Sequence, residues 1–484
     1  MAESTRKQGS EYKESKYKNL LSNTAIVGIG TLGSKLLMYL LVRFYTEVLS
    51  SSQYSVASNI TETAALLIPF ISFGIGEAVF RFGLDKDYKR SEVFSSALAV
   101  VFIGLVLLVP TGFIFNGTSY FRGYGLSLSI YVFSSILHTV CSQFIRSQNK
   151  FFLFALQGIL NTLFTVGFNV LFLVPLEMGI KGYVLSVAAA DALSSLFIVF
   201  AAKLWNFVSV KDISKRAIKN MLIFSIPLIP TMASWWIVNV SDRYMITYFI
   251  GDSANGIYAA SYKIPTLLTV FVGIFNNAWK YSSVKEEGSS SEGQFVSNVY
   301  RAFTSVMLVF SVFIIAFSKL ISRIMFASDF YSAWRYIPIL TLGMLFSSFS
   351  SFCGTLFIAK KKSVASLVTT LIPAIVNVTL NLLLIPYFAK NSYFASASAI
   401  GAAFATFVSY LLMFILKARA SRKYLDYNLE PLHLSINVFI LSFLAIIVTA
   451  NISFAPVVSA FAVILVIALN FKTLLKSVKI FLKK

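Results

Sequence analysis

Long apolar stretches alternate with short polar segments along almost the whole chain. A helix needs about 20 apolar residues to cross the hydrocarbon core of a bilayer. By this criterion the pattern predicts an all-α polytopic membrane protein with fourteen transmembrane helices, most of them joined by tight polar loops. The predicted spans are residues 20–45, 54–80, 93–115, 124–145, 151–175, 182–202, 220–250, 255–279, 296–318, 336–359, 364–389, 396–416, 432–450 and 456–471.

The composition agrees with a membrane protein and argues against several kinds of site. Hydrophobic residues make up 57% of the chain and charged residues only 13%, which is about half the charged fraction of soluble domains. The chain has 2 Cys and 2 His residues, and both cysteines lie in apolar runs. We therefore expect no disulfide framework, no metal site and no bound cofactor. The excess of Lys and Arg does not require nucleic acid as a partner, because it orients membrane helices and contacts anionic headgroups.

Most of the Lys and Arg residues fall on one side of the membrane when the predicted spans are threaded in order. This side holds both basic tails and several basic loops, among them 81–90, 203–219 and 417–423, the last of which begins with Lys417. Cytoplasmic loops carry an excess of positive residues. The charge pattern therefore predicts that both termini are cytoplasmic, which requires an even number of spans.

The first twelve predicted spans consist of two related groups of six. Tyr54 and Tyr258 occupy matching places after spans 1 and 7, and spans 5 and 11 end at Pro175 and Pro386. Because six spans separate the two groups, the repeat is parallel, an architecture that recurs in transporters. The predicted segments are a polar cytoplasmic tail at 1–19, a six-helix bundle at 20–203, a cytoplasmic linker at 204–219, a second six-helix bundle at 220–418, and two additional helices with a basic tail at 419–484.

The stretch SDRYMITYFIGDSANGIYAASYKIP, residues 241–265, resembles the hairpin between the seventh and eighth helices of oligosaccharide flippases. These proteins form the polysaccharide transport branch of the multidrug/oligosaccharidyl-lipid/polysaccharide exporter superfamily. The resemblance implies two six-helix bundles around a central cavity that opens alternately to each side of the membrane. The matching residues are Asp242, Arg243, Gly251, Gly256, Tyr258, Tyr262 and Lys263, with a second match at Asn377, Asn381, Pro386, 401–403 and 405–406.

Several ionisable side chains lie inside the predicted spans, where a charge is costly and usually functional. The hairpin between spans 7 and 8 turns near Ser253, and Arg243 and Lys263 lie ten residues on either side of that turn. At about 1.5 Å per residue, these two cations should lie at matching depth. Lys35 and Glu62 are placed comparably about the hairpin between spans 1 and 2. We also expect Pro265, two residues after Lys263, to bend its helix.

These charges suit a phosphate ligand. A lipid-linked sugar carries a phosphate or pyrophosphate next to its polyprenyl tail, and an Arg side chain can bind two of its oxygens at once. The candidate phosphate-binding residues are Arg243, Lys263, Lys35 and Arg43. The alternative is internal ion pairing or snorkelling to the interface, which we favour for Arg43.

Acidic residues in the spans have two possible roles. They could hold the cations when no substrate is bound, or carry a coupling proton or sodium ion. The candidates are Asp242, Glu62 and Asp191. Asp191 lies at mid-depth in span 6, and the sequence names no partner for it.

Together with the resemblance, these features predict a flippase and not an enzyme. The resemblance implies that the protein moves polyprenyl-(pyro)phosphate-linked oligosaccharide repeat units from the cytoplasmic to the outer leaflet of the bacterial plasma membrane, by alternating access, for cell-surface polysaccharide assembly. The expected partners are an undecaprenyl-type lipid-linked glycan, membrane lipids, a polysaccharide polymerase and glycosyltransferases. We expect a monomer and no nucleic acid partner.

Three other functions remain open at the level of the sequence. A lipid II flippase would differ only in its cargo. A cation-coupled multidrug exporter of the same superfamily usually has twelve spans and a more acidic cavity. A membrane polysaccharide polymerase or glycan transferase needs a sizeable outer loop with catalytic residues, whereas the longest outer loop predicted here is only 319–335.

Overall fold

The computed structural model describes residues 37, 39, 41–118, 120–285, 292–359, 362–391 and 398–482. Within these ranges all regular secondary structure is helical, and a helical stretch at 41–48 precedes the first complete helix. The α-helices are α1 Ser51–Ile71, α2 Ile75–Gly83, α3 Arg90–Gly117, α4 Gly125–Ser147, α5 Phe151–Leu173, α6 Gly179–Ala202, α7 Lys215–Ser225, α8 Ile229–Phe249, α9 Asp252–Lys263, α10 Leu267–Lys285, α11 Glu292–Ala316, α12 Ser318–Met325, α13 Ile337–Ala359, α14 Ser363–Lys390, α15 Ile400–Arg422, α16 Pro431–Thr449 and α17 Ala455–Leu482.

The described helices form a multi-pass membrane protein. Eleven candidate spans are long and apolar enough to cross a bilayer, and the bent pair α1 and α2 makes a twelfth if it is one span. The two helices of this pair meet at 55°, next to Phe73 and Gly74, which both have positive φ angles. The predicted number of fourteen is not confirmed. The first predicted span lies mostly outside the described residues, and the eighth is divided.

The division of the eighth predicted span occurs at Pro265. Helix α9 ends at Lys263, residues 264–266 form a turn, and α10 begins at Leu267. Proline has no backbone N–H and its ring collides with the preceding turn of a helix. The expected bend at Pro265 is therefore confirmed, and it makes Lys263 the last residue of α9.

The packing of the helices divides the chain into two compact units. Unit 1 comprises the described residues up to Leu41 together with Ile60–Met232, and Unit 2 comprises Val42–Asn59 and Ala233–Lys484. In Unit 1, α6 packs along both α4 and α5. In Unit 2, α15 packs along both α13 and α14, and α11 packs along α17. The bundle boundaries expected from the sequence, with a linker at 204–219, stay a prediction.

Two glycines of the motif position the hairpin formed by α8 and α9. Gly251 connects the helices with a φ of +124°, a backbone conformation that side chains disfavour. Gly256 lies so close to the start of α1 that an added Cβ would collide with the carbonyl oxygen of Ser51. The Ser55 hydroxyl on α1 also donates a hydrogen bond of 3.0 Å to Asp252 on α9. The hairpin is thereby held against the first turns of α1 within Unit 2.

Candidate functional site

The α8–α9 hairpin brings the charged residues of the motif beside its tyrosines. The Tyr258 hydroxyl donates a hydrogen bond of 2.6 Å to Asp242. The guanidinium carbon of Arg243 lies 5.3 Å from the centre of the Tyr262 ring. Both contacts join α8 to α9 across the hairpin. Lys263 directly follows Tyr262 in sequence and is the last residue of α9; its matched depth with Arg243 stays a prediction.

Arg243 is a buried cation in a membrane span, with an exposed fraction of only 4%. Its Nη1 donates a hydrogen bond of 3.0 Å to the Ser58 hydroxyl on α1. A charged side chain at the centre of a membrane helix costs about 2.5–3.5 kcal/mol on insertion scales. The adjacent Tyr244 hydroxyl also reaches α1, where it donates a bond of 3.0 Å to the carbonyl oxygen of Asn59. Ser58 and the Tyr262 ring therefore hold the guanidinium in one orientation.

Asp242 lies at the centre of a second polar cluster that combines the two motif regions. It is fully buried, and its Oδ2 accepts hydrogen bonds from Tyr258 and, at 3.2 Å, from the Thr406 hydroxyl on α15. Among the described residues, Oδ1 of Asp242 has no hydrogen-bond partner. Next to it, the amide oxygen of Asn377 on α14 accepts a bond of 3.3 Å from Ser241 and one of 3.0 Å from Asn381.

The two remaining predicted cations have different outcomes. Lys35 lies outside the described residues. Arg43 forms an ion pair of 2.5 Å with Glu47 and donates a hydrogen bond of 2.6 Å to the carbonyl oxygen of Phe326, and its side chain is 42% exposed. These contacts correspond to the internal pairing that we favoured for Arg43 over phosphate binding. They also connect the helical stretch at 41–48 to the end of α12.

Asp191 on α6 has several hydrogen-bond partners, although the sequence identified none. Its carboxylate accepts hydrogen bonds from the hydroxyl of Ser135 and, at 2.7 Å, from the amide of Asn161. Nδ1 of His138 lies 3.3 Å from Oδ1 of Asp191. The other ring nitrogen of His138 is 2.7 Å from the amide oxygen of Gln157. Three helices of Unit 1 thus meet in a buried polar network around one carboxylate.

The third candidate acid, Glu62 on α1, belongs to the same region of Unit 1. Tyr131 on α4 lies within electrostatic range of both Asp191 and Glu62. The sequence carried a signal for this network. One face of α4 carries Tyr131, Ser135 and His138 at spacings of four and three residues. The facing side of α5 carries Gln157 and Asn161, four residues apart. Polar side chains repeated at helical spacing inside an apolar span indicate a shared internal face.

Lys417 differs from its expected position. The charge pattern assigned it to a basic cytoplasmic loop, but it lies within α15 and is only 2% exposed. Its Nζ is 5.1 Å from the centre of the Trp235 ring on α8. The helix continues for five residues beyond Lys417, so its orientation about the helix axis decides that it faces inward. Hydropathy alone does not report that orientation.

Comparison with known proteins gives a family and a fold. A family described as polysaccharide biosynthesis protein matches residues 20–280. An uncharacterized membrane protein of Methanocaldococcus jannaschii is 22% identical over 431 residues, which cover 82% of this chain and 97% of that protein.

Two solved structures share the arrangement of helices. The lipid II flippase MurJ, in an inward closed conformation, aligns with a TM-score of 0.66 at 15% identity, over 95% of this chain and 99% of that one. A MOP superfamily transporter from Pyrococcus furiosus aligns with a TM-score of 0.58 at 14% identity, over 82% of this chain and 95% of that one. The described helices therefore have the fold of this superfamily.

Proposed function

Because this chain belongs to the polysaccharide biosynthesis protein family, we propose that it is a flippase for lipid-linked glycans. Its cargo would be oligosaccharide repeat units attached to a polyprenyl phosphate or pyrophosphate. It would move them from the cytoplasmic to the outer leaflet by alternating access, for assembly of a cell-surface polysaccharide. The observation that supports this function most directly is the buried Arg243, held by Ser58 and Tyr262 within a membrane span.

Arg243 and Lys263 would bind the phosphate groups of the cargo. A buried guanidinium presents several N–H donors in a plane and can bind two phosphate oxygens at once. In a site with little water, such a charged hydrogen bond is stronger than at a surface. Lys263, one residue beyond Tyr262 at the end of α9, would add a second positive charge at the same level.

The carboxylates would have roles distinct from phosphate binding. We propose Asp191, with Glu62 nearby, as the site that couples transport to a proton or sodium ion, because its hydrogen-bonded network joins three helices of Unit 1. Asp242 would instead organise α8, α9 and α15 of Unit 2 through Tyr258 and Thr406, or bind a coupling cation at its remaining oxygen.

A lipid II flippase is the second candidate. The alignment with the lipid II flippase MurJ covers 95% of this chain, whereas the alignment with the Pyrococcus furiosus transporter covers 82%. Lipid II is itself a polyprenyl-pyrophosphate-linked glycan, so the proposed phosphate site would serve either cargo. Only the glycan distinguishes the two functions.

A transport assay with purified protein tests the function directly. The full chain is reconstituted into liposomes that contain fluorescent polyprenyl-pyrophosphate-linked oligosaccharide, lipid II, or a labelled phospholipid, and a membrane-impermeant quencher reports the exposed leaflet. We expect the protein to accelerate transfer of the oligosaccharide between leaflets, and not that of the phospholipid. Faster transfer of lipid II alone would select the second candidate. No acceleration of either glycan would contradict both.

The proposed orientation has both termini on the cytoplasmic side of a bacterial plasma membrane. All three of Lys86, Lys215 and Asn116 are exposed, and the proposed orientation puts the first two in the cytoplasm and the third outside. Single cysteines at Lys86 or Lys215 should therefore resist a membrane-impermeant thiol reagent in intact cells, and one at Asn116 should react. Cys141 and Cys353 are buried, so background labelling should be low. Labelling at Lys86 with protection at Asn116 would reverse the orientation.

A further inference from the structure

Helices α8 and α15 of Unit 2 are joined by a series of polar contacts. The Thr406 hydroxyl bonds to Asp242 at 3.2 Å, and the Tyr410 hydroxyl bonds to Asn239 at 2.6 Å. One further step along both helices, Lys417 lies over Trp235. The three positions on each helix are three to seven residues apart, so they follow a single face. These three contacts thus form a polar seam between the two helices, with Lys417 and Trp235 at the end away from the α8–α9 turn.

Lys417 is the residue in this seam whose charge is not balanced. In the part of the chain that the structure describes, no carboxylate lies within 4 Å of its Nζ. Its neighbours are the Trp235 ring and Cys353 on α13. Tyr427 lies next to Cys353 and forms a hydrogen bond of 2.7 Å with Ser421. Burial raises the pKa of the Tyr427 hydroxyl well above its usual range, so this group stays neutral. A buried ammonium without an anion is costly, which suggests that a ligand supplies one.

The helix that faces the ammonium has no side chain at the nearest position. Gly354 on α13 faces Lys417, and a Cβ added there would meet Nζ at 3.8 Å and no other neighbouring atom within 4 Å. Trp235 is only half-buried, so part of its ring is uncovered. A small anion next to Nζ, with an apolar ring face against the indole, therefore fits the chemistry of this position.

We propose that Lys417, Trp235 and Gly354 form a second subsite, which binds a pyrophosphate group at Lys417 and packs the adjacent sugar ring against Trp235. This inference rests on the proposed flippase function. Trp235 and Arg243 are eight residues apart on the same span, or about 12 Å along its axis. One pyrophosphate group cannot contact both cations at once. In the proposed orientation Lys417 lies toward the cytoplasmic side, so this subsite would receive the headgroup before it reaches Arg243.

Binding measurements on the full chain in detergent test the subsite. All proteins in this series carry Arg243→Ala and Lys263→Ala, so that the first proposed phosphate site does not contribute, and calorimetry measures the affinity for farnesyl pyrophosphate, inorganic pyrophosphate and farnesol. We expect Lys417→Gln to weaken binding of both pyrophosphates at least about tenfold, the usual effect of removing a charged hydrogen bond. Farnesol should not bind at this position. Arg419→Gln, an exposed position two residues further along the same helix, is the matched control and should bind normally.

The comparison of the two pyrophosphates identifies the source of the ligand. Tighter binding of farnesyl pyrophosphate would assign the subsite to a lipid headgroup, and equal binding would assign it to pyrophosphate groups in general, including those of soluble sugar donors. If neither compound binds, or if both bind equally well to Lys417→Gln, the subsite is wrong.

A second variant tests the subsite in a chain that keeps Arg243. A Cβ added at Gly354 would meet only Nζ of Lys417, at 3.8 Å, so Gly354→Val places its methyl groups against the ammonium without changing any charge. We expect transport to fall severalfold at an unchanged melting temperature. Normal transport by both Gly354→Val and Lys417→Gln, with loss of transport in Arg243→Ala, would overturn the subsite and leave the flippase function intact. If pyrophosphate binding depends on Lys417 but the protein moves no lipid-linked glycan, the subsite stands and the flippase function is wrong.

Discussion

Replacement of Arg243 by alanine is expected to reduce export of lipid-linked glycan at least about tenfold, with precursor accumulating in the cytoplasmic leaflet. The reason is the loss of a desolvated, oriented guanidinium, whose proposed hydrogen bonds to phosphate would be worth about 1.5–3 kcal/mol. Arg243→Lys should also be strongly impaired, because an ammonium keeps the charge but cannot bind two oxygens in one plane. Lys263→Ala should have a smaller effect in the same direction. Surface polysaccharide and lipid-linked precursor are measured in parallel.

The control for this experiment is Arg122→Ala, which removes an exposed Arg just before the first residue of α4 and should export normally. Each variant is purified and its melting temperature compared with that of the wild type, because Arg243 also connects α8 to α1 through Ser58. A well-folded double variant, Arg243→Ala with Lys263→Ala, that exports at the wild-type rate would show that these cations only pack or snorkel.

Replacement of Asp191 by asparagine is expected to uncouple transport from its ion gradient. The side chain keeps its shape and can still bond to Ser135 and Asn161, but it no longer binds a proton or a cation. Gradient-driven transport should fall at least about fivefold, the lower end of typical coupling between two sites, while binding of the lipid-linked glycan is unchanged. Transport is measured in liposomes under an imposed pH gradient and, separately, under a sodium gradient.

The groups that face Asp191 decide how this experiment is interpreted. They are His138, Ser135 and Tyr131 on α4, Glu62 on α1 and the amide of Asn161 on α5, while Gln157 on α5 contacts His138. If a proton is coupled through the His138–Asp191 pair, His138→Gln should lose the response to the pH gradient as well. Asp85→Asn, at the end of α2, is the control for loss of one acidic charge in Unit 1. Equal rates for wild type and Asp191→Asn under both gradients would assign Asp191 a structural role only.

The positions of individual helices followed closely from hydropathy. The predicted span 93–115 corresponds to α3 Arg90–Gly117, and 396–416 corresponds to α15 Ile400–Arg422. The break at Pro265 was also predictable, and the hairpin turn predicted near Ser253 lies two residues earlier, at Gly251, because proline and glycine restrict or free the backbone locally. The total number of spans was less certain, since the bent pair α1 and α2 and the divided α9 and α10 read in sequence as continuous apolar segments.

The candidate site was predictable only in part. The sequence identified Asp242, Arg243 and Lys263, and it identified Asn377, Asn381 and Thr406 as a separate motif. Their meeting around Asp242 depends on how α8, α14 and α15 pack. The partners of Asp191 were missed for the same reason, because Ser135, His138 and Asn161 come from two other helices.

The sequence by itself determined that this is a helical membrane protein, because the bilayer imposes the length and apolar character of each span, and the sign of its loops predicted which side faces the cytoplasm. Only the tertiary structure decided which polar side chains meet. Lys417 illustrates the difference: five residues from the end of α15, the same charge could reach the solvent or face the interior. The rotation of the helix about its axis and the presence of Trp235 and Gly354 opposite it place the ammonium inside. Hydropathy is summed along a segment, whereas such contacts depend on the direction each residue faces and on the helices packed beside it.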